Sequence, residues 1–318
     1  MGSRDGVTGG GVIFLNPRSG SGTEVDELIE KFEGHEVVQC PPSDLGERLR
    51  TVLAADDPPA FVGIAGGDGT IRAAVEVLLD ASPHTPLLAV PTGTRNHFAR
   101  DLGLETIDDA VAAASEGHTR SVDAATVNGA WFINNSSVGV YPRLVAHREA
   151  RESHMPKGMA AVIAAWHQLR YGRHLRLRVD GTPVKAWAVF VGNNCYGESL
   201  RELSGRERMD EGVLDVRIAH ADRRLSRLRI VGAVLFGRLE RSPLIDRKRC
   251  AAVQLDVGRQ VKVALDGEVT PMESPLHYQS HPGALTVLVR PAPTEVHGHD
   301  GSVIRVHFSR SRVSGGRP

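Results

Sequence analysis

The chain lacks several features that would place it in a specialised class. Its 3 cysteines among 318 residues are far apart and never in C-x-x-C spacing, which argues against a disulfide framework or a zinc site and favours a reducing cytosol. No apolar run approaches the roughly 18 residues that span a bilayer, and residues 1–11 lack the apolar core of a signal peptide. The formal net charge is +0, so bulk electrostatics gives no reason to expect nucleic acid as a partner.

Short apolar segments alternate with helical periodicities in the first part of the chain. This order predicts a doubly wound α/β domain, with helices on both faces of a parallel sheet. From Ser121 onward extended segments dominate and predict an antiparallel β-sandwich, interrupted by helices at 155–169 and 225–239. We therefore predict an α/β domain over 11–122 and a β-rich domain over 123–308, between flexible tails at 1–10 and 309–318. The predicted elements of the first domain are strands at Gly11–Leu15, Glu36–Gln39, Phe61–Ala65 and Leu87–Val90, and helices at Thr23–Phe32, Leu45–Ala54 and Thr70–Leu79.

The strongest chemical signal is the string I-A-G-G-D-G-T-I over residues 64–71, between a predicted strand and a predicted helix. Glycines allow backbone N–H groups to approach phosphate oxygens, and the helix N-terminus adds a partial positive charge. Asp68 would repel phosphate, so we expect it to hold magnesium or to take a proton from an acceptor hydroxyl. The alternative is an ordinary strand-to-helix turn with a capping aspartate.

Two further polar segments follow other predicted strands. They are N-P-R-S-G at residues 16–20 and P-T-G-T-R-N at residues 91–96. The loops at the carboxyl ends of parallel strands converge on one crevice, so we expect all three segments to supply N–H groups, hydroxyls and amides to one phosphate site. Each segment alone is also typical of plain turn chemistry.

These motifs, followed by L-D-G-E at residues 265–268, resemble the diacylglycerol kinase catalytic-domain family, which includes bacterial soluble lipid kinases and sphingosine kinases. The resemblance covers about residues 11–290. It implies ATP bound in a cleft between an α/β nucleotide domain and a β-rich lipid domain. Cys40 stands where the family commonly has threonine, and His97 where many relatives have aspartate. With residues of the 16–20 and 91–96 loops included, the candidate nucleotide-binding residues are Asn16, Ser19, Cys40, Gly66, Gly67, Asp68, Gly69, Thr70, Ile71, Arg72, Thr94 and Asn96.

Asp266 and Glu268 match the family's acidic pair, one member of which is thought to activate the lipid hydroxyl. In extended backbone, residues two apart face the same way, and two close carboxylates push one pKa upward, which suits a base near neutral pH. The alternative is a surface Asp-Gly hairpin turn. Which of the two acids is the base stays open, and Asp68 is the third candidate catalytic residue.

The segment R-M-D-E-G-V-L-D at residues 208–215 resembles the stretch that holds a structural magnesium in the family. Glu211 falls where the family has aspartate, and Arg208 and Val213 fall at the positions that supply backbone oxygens. Oxygen ligands suit magnesium, and the alternative is a solvated acidic turn. Asn134 to Ser137 resembles the family's Phe-x-Asn segment, which we expect near the cleft.

The segment from Asp222 to Arg249 contains nine basic and three acidic residues, together with an apolar stripe at helical spacing. Such a helix could lie on an anionic membrane, or pack on the core with a solvated basic face. The sequence thus predicts a cytoplasmic, ATP- and Mg²⁺-dependent kinase for a hydroxyl of a lipid such as diacylglycerol, with peripheral membrane contact and homodimerisation left open. The alternatives are an NAD kinase-like phosphotransferase, which shares the glycine-aspartate motif, and a nucleotide-binding regulator without catalysis.

Overall fold

The fold is taken from a computed structural model. It describes residues 7, 9–17, 22–139, 174–197, 205–206, 208–221 and 245–290, together with the backbone of 294–297 and 303–306. Two helices that the sequence predicts, at 155–169 and 225–239, lie outside the described residues. The elements are, in order, β1 (Val12–Leu15), α1 (Gly22–Lys31), β2 (Glu36–Gln39), α2 (Pro42–Leu53), β3 (Val62–Gly66), α3 (Asp68–Ala81), β4 (Leu87–Pro91), α4 (His97–Asp101), α5 (Ile107–Glu116), β5 (Thr119–Val127), β6 (Ala130–Phe132), β7 (Asn135–Gly139), β8 (Leu175–Val179), β9 (Thr182–Asn193), β10 (Leu214–His220), β11 (Ile245–Cys250), β12 (Ala252–Asp256), β13 (Val261–Leu265), β14 (Glu268–Met272), β15 (Leu276–Leu288), β16 (Thr294–His297) and β17 (Val303–Val306).

The first four strands form a parallel sheet in the order β2-β1-β3-β4. Strands β1 and β3 are buried along their whole length, as expected for parallel strands covered by helices on both faces. The predicted α/β arrangement is confirmed, with strand bounds shifted by one residue at most. The helix after β3 begins earlier than predicted, at Asp68, so the glycine-rich string forms its first turn.

The second half is mainly antiparallel and continues the same sheet through β15. Residues of β15 pair with β5 and β12 in antiparallel fashion, while its far end pairs parallel with β4, Val287 lying opposite Leu87. The full path runs β14-β13-β7-β9-β8-β12-β15-β4-β3-β1-β2. Because β15 reaches both halves, its apolar residues Leu285, Val287 and Leu288 pack in the core of the first half.

Two hydrophobic cores support the two halves. Strand β5 contributes Val122 to the first core and Ala125 and Val127 to the second, so the chain passes from one to the other within a single strand. This passage brings the segment after β6 beside the ends of the parallel strands. The domain boundary predicted between residues 122 and 123 falls inside β5 and stays a prediction.

Some elements outside the parallel sheet were not evident from the sequence. Asp180 and Gly181 form the hairpin turn between β8 and β9, both residues having positive φ, 48° and 81°. Helix α5 of the first half, whose Thr106 and Asp109 form a capping box, and the short strand β7 of the second half were not predicted from the sequence. Within the described residues, no helix has both the length and the apolar character needed to cross a membrane.

Candidate active site

The glycine-rich loop joins β3 to α3 at the carboxyl edge of the parallel sheet. A Cβ on Gly66 would lie 2.8 Å from the Cβ of Thr70, so only glycine fits this tight turn without a shift. The N-cap position of α3 is Gly67, which makes no side-chain cap to the first turn. The uncapped N-terminus of a 14-residue helix offers N–H groups and a partial positive charge to an anion.

The loop after β4 lies directly against the glycine-rich loop. A Cβ on Gly93 would lie 2.5 Å from the Cα of Gly67, so the two backbones touch. Asn96 fixes the Gly93 loop: its Oδ1 accepts from Gly93 N at 3.0 Å and its Nδ2 donates to Gly93 O at 2.8 Å. Thr94 is exposed at the tip of this loop. The two loops therefore meet, as the sheet topology predicts.

The first loop lies beside the same edge. The backbone N–H of Asn16 donates to Ala65 O at 3.1 Å, next to the start of the glycine-rich loop, whereas Ser19 lies outside the described residues. Cys40 is buried in the first core, and its Sγ donates to Pro41 O at 3.5 Å. Burial raises the pKa of the Cys40 thiol, which keeps it protonated and apolar. This neutral, inward-facing thiol is a weaker hydrogen-bond donor than the threonine hydroxyl that the family commonly has at this position.

Asp68 is a hydrogen-bond acceptor at the junction of three elements. Its carboxylate accepts from the backbone N–H groups of His97 and Phe98 at 3.1 and 3.0 Å, and from Asn134 Nδ2 at 3.3 Å. Asp68 thus caps the N-terminus of α4 rather than that of its own helix, which departs from the simple capping turn. A carboxylate offers about four lone-pair sites, so these three contacts leave room for one more partner.

Asp266 and Glu268 belong to the β13–β14 hairpin, and their carboxylates contact different partners. Asp266 has φ of 48° rather than extended backbone, so the expectation that the two acids face the same way is wrong. Its carboxylate accepts from the N–H groups of Ile133, Asn134 and Asn135 at 2.8 to 2.9 Å. Burial raises the pKa of Asp266 to about 6, and those three N–H donors act in the opposite direction. The raised pKa thus has burial as its cause, instead of the neighbouring carboxylate that the sequence suggested.

Glu268 lies at the mouth of the glycine-rich loop. Its side chain is 55% exposed and forms an ion pair with Arg72 of α3. A Cβ on Gly69 would lie 2.7 Å from Glu268 Oε1, so the carboxylate rests on the backbone of that glycine. Arg72 also lies 3.8 Å from Glu76, and its buried Nε has no hydrogen-bond partner among the residues that the structure describes. The contact joins an exposed carboxylate of the β-rich half to the first turns of α3.

The loop predicted to hold a structural magnesium is fixed by backbone contacts. Glu211 Oε2 accepts from Cys195 N at 2.9 Å, and Val213 O accepts from Asn194 N at 2.9 Å. The Arg208 side chain pairs with Asp210 at the surface. In the described part of the chain, no group of three or more His, Cys, Asp or Glu side chains is arranged to hold a metal ion. The assignment of Arg208, Glu211 and Val213 to magnesium stays a prediction without support from these contacts.

Sequence reasoning missed Arg206, a residue that organises the site. Arg206 is fully buried and forms an ion pair with Asp101 of α4 at 2.6 Å. Its sequence context, G-R-E-R between polar residues, is typical of a solvated surface, and no pattern distinguishes it from the other arginines. Asn134 was expected near the cleft, and the structure places its amide against Asp68.

Comparisons with known proteins agree with the two-part fold. The family model described as "Diacylglycerol kinase catalytic domain" matches residues 11–127, and the one described as "YegS C-terminal NAD kinase beta sandwich-like domain" matches residues 142–289. A "Diacylglycerol kinase" of Mycobacterium tuberculosis is 30% identical over 295 residues, covering 86% of this chain and 93% of the relative. A "Probable lipid kinase YegS-like" of Pseudomonas aeruginosa is 28% identical over 287 residues, covering 87% and 93%.

A solved structure supports the fold independently. A diacylglycerol kinase from Bacillus anthracis superposes with a TM-score of 0.64 at 19% identity, covering 89% of this chain and 97% of that one. The matching family models and the relatives named as kinases place the chain among the kinases. The chain belongs to the diacylglycerol kinase family.

Proposed function

We propose that this protein transfers the γ-phosphoryl group of ATP to a hydroxyl of a lipid such as diacylglycerol, with Mg²⁺ as the metal. The single observation that supports this most is the contact of Glu268 with the glycine-rich loop: a carboxylate from the β-rich half lies on Gly69. A base placed at the phosphate loop is the arrangement that phosphoryl transfer to an alcohol needs.

The donor side of the site is a backbone cradle. Gly67 and Gly93 approach so closely that side chains would fill the space, and the N-terminus of α3 adds electrostatic attraction for phosphate. Thr94, exposed beside Gly93, supplies a hydroxyl. These features favour a triphosphate that lies along both loops, with its terminal phosphate towards Glu268.

On the acceptor side, Glu268 is better suited to act as the base than Asp266. The carboxylate of Asp266 is occupied by three backbone N–H donors, so it holds the segment before β7 against the hairpin. Glu268 is exposed and reaches its partner through one ion pair. In the transfer, Glu268 takes the hydroxyl proton as the lipid oxygen attacks the γ-phosphorus. The bond from that phosphorus to the bridging oxygen then breaks, and ADP leaves.

The residues present fit a magnesium ion carried with the triphosphate. Asp68 lies at the start of α3 with lone-pair capacity beyond its three donors, and carboxylate oxygens are ligands that magnesium prefers. When bound, the metal would neutralise charge on the phosphates. We further propose a cytoplasmic protein that meets its substrate at the membrane surface.

The test is a phosphorylation assay with labelled ATP and Mg²⁺ against three acceptors: vesicles that contain diacylglycerol, a panel of other lipid alcohols, and NAD. We expect a phosphorylated lipid with diacylglycerol or another member of the panel. Phosphorylation of NAD alone would establish the NAD kinase-like alternative instead. ATP binding without transfer to any acceptor would indicate a nucleotide-binding regulator.

A further inference from the structure

Arg206 is the centre of a buried polar cluster between the two halves of the chain. Its side chain is 0% exposed and that of Asp101 is 4% exposed. A buried charge is tolerated only when it is paired and its donors are satisfied. The guanidinium of Arg206 donates hydrogen bonds to four oxygens, namely Asp101 Oδ2 at 2.6 Å, Ile133 O at 2.6 Å, Asn193 O at 3.0 Å and Asn134 Oδ1 at 2.9 Å.

One branch of this cluster reaches Asp68 through Asn134. A guanidinium only donates hydrogen bonds, so Arg206 requires the amide oxygen of Asn134 on its own side. The amide NH₂ then points away from Arg206 and donates to Asp68 Oδ1 at 3.3 Å. The backbone N–H of Asn134 is held by Asp266 at 2.8 Å. The hydrogen bond from Arg206 thereby determines that the NH₂ end of the Asn134 amide faces Asp68.

A second branch reaches Asp68 through α4. Arg206 contacts the last residue of this short helix, Asp101, through its Nε and also through its backbone N–H at 3.2 Å. The first residues of the same helix, His97 and Phe98, donate their N–H groups to Asp68. The contacts close into a ring that runs from Asp68 through α4 and Arg206 to Asn134 and back.

From this ring we infer that Arg206 is a positioning residue, which holds Asp68 in its working orientation through Asn134 and α4. The inference rests on the proposed function only where it concerns the rate of transfer. Arg206 lies one side chain away from Asp68 and makes no contact with the reacting atoms. Its effect is to fix all three donors of the Asp68 carboxylate at once, which leaves that carboxylate room for one further partner.

The test uses two variants that open the ring at different points. Arg206→Lys keeps the charge but loses the planar fork that serves several oxygens, and Asn134→Ala removes the amide while leaving the buried arginine paired with Asp101. A matched control is Arg290→Lys, since Arg290 forms an ion pair of the same length, 2.6 Å, with Asp109 of α5. Thermal unfolding checks that each variant is folded.

Hydrogen exchange at the His97 and Phe98 amides reports the ring without substrate. We expect exchange to accelerate in Arg206→Lys by roughly five- to tenfold, the equivalent of one weakened hydrogen bond, and to be unchanged in Arg290→Lys. Unchanged exchange in Arg206→Lys would overturn the inference. This measurement tests the positioning role of Arg206 even if wild type phosphorylates no lipid. The absence of lipid phosphorylation would reject the proposed function but not the positioning role.

The kinetic measurement separates positioning from mere stability. We expect kcat to fall on the order of 10- to 100-fold in each ring variant, as for a slightly displaced catalytic group, with a smaller change in the KM for ATP. Because both variants act on one group, the double variant should lose little more than the worse single variant. Fully multiplicative losses, or a kcat equal to that of Arg290→Lys, would contradict a positioning role.

Discussion

Gly67 and Gly93 touch backbone to backbone, so that a methyl group on Gly93 would lie 2.5 Å from Gly67 Cα. The same methyl group would lie 2.7 Å from Asn96 Oδ1, the atom that holds the loop. Neither neighbour is the free end of a flexible side chain. The separation of the two phosphate loops is therefore set by the absence of a side chain at Gly93.

Gly93→Ala should open the crevice between these loops. We expect the affinity for an ATP analogue, measured by isothermal titration calorimetry, to fall at least about tenfold, because backbone donors must stay within hydrogen-bond distance of phosphate. Gly10→Ala is the control, since among the described residues no atom outside its chain neighbours lies within 4 Å of a Cβ there, and its φ is not positive. Equal affinities for the two variants would show that the loops do not grip the nucleotide together.

The convergence of these loops could be predicted, because the rule for parallel strands depends only on strand order and direction. The directions in which the side chains of Asp266 and Glu268 point could not be predicted. Asp266 adopts positive φ, and this single departure from extended backbone turns its carboxylate to the N–H groups of residues 133–135. The burial of Arg206 was equally hidden, since it results from contacts with Asp101 and Asn134, which are distant in the sequence.

Glu268→Gln tests the base. The change keeps the shape of the side chain but removes its ability to accept a proton, so we expect kcat to fall by about 10²- to 10⁴-fold while affinity for ATP changes little. The control is Glu273→Gln, an exposed acid beyond the same hairpin that contacts Gln260 at 3.0 Å. If Asp266→Asn abolished transfer while Glu268→Gln retained it, the assignment of the base to Glu268 would be wrong.

Asp215 is a buried acid that supports the second half. Its side chain is 0% exposed and accepts from Arg217 at 2.7 Å and Arg247 at 2.8 Å. Asp215→Asn would remove the buried carboxylate charge that Arg217 and Arg247 share, so we expect the free energy of unfolding in urea to fall by about 3–5 kcal/mol. Asp108→Asn, which breaks an exposed pair with Lys31, should change it far less. Similar losses for both variants would contradict this account.

The same carboxylate predicts a dependence on pH. Burial alone would raise the pKa of Asp215, but hydrogen bonds from Arg247 and Arg217 outweigh burial and lower it. A carboxyl with a lowered pKa in the folded state stabilises the protein above its unfolded pKa of about 3.9, and this contribution is lost as the pH falls through the folded value. The difference in unfolding free energy between wild type and Asp215→Asn should therefore be constant from pH 7 to pH 5 and shrink below pH 4.

The contribution of Asp266 to stability should depend on pH with the opposite sign to that of Asp215. Burial raises the pKa of Asp266 to about 6, above the unfolded value of about 3.9. Between these values the folded protein binds more protons than the unfolded chain, so the contribution of Asp266 to stability increases as the pH falls from 7 to 5. Relative to Asp266→Asn, wild type should gain unfolding free energy over that interval, measured by urea denaturation at each pH. A difference that is independent of pH would mean that the three N–H donors to Asp266 outweigh its burial, and that the carboxylate stays ionised as a fixed anchor for the segment before β7.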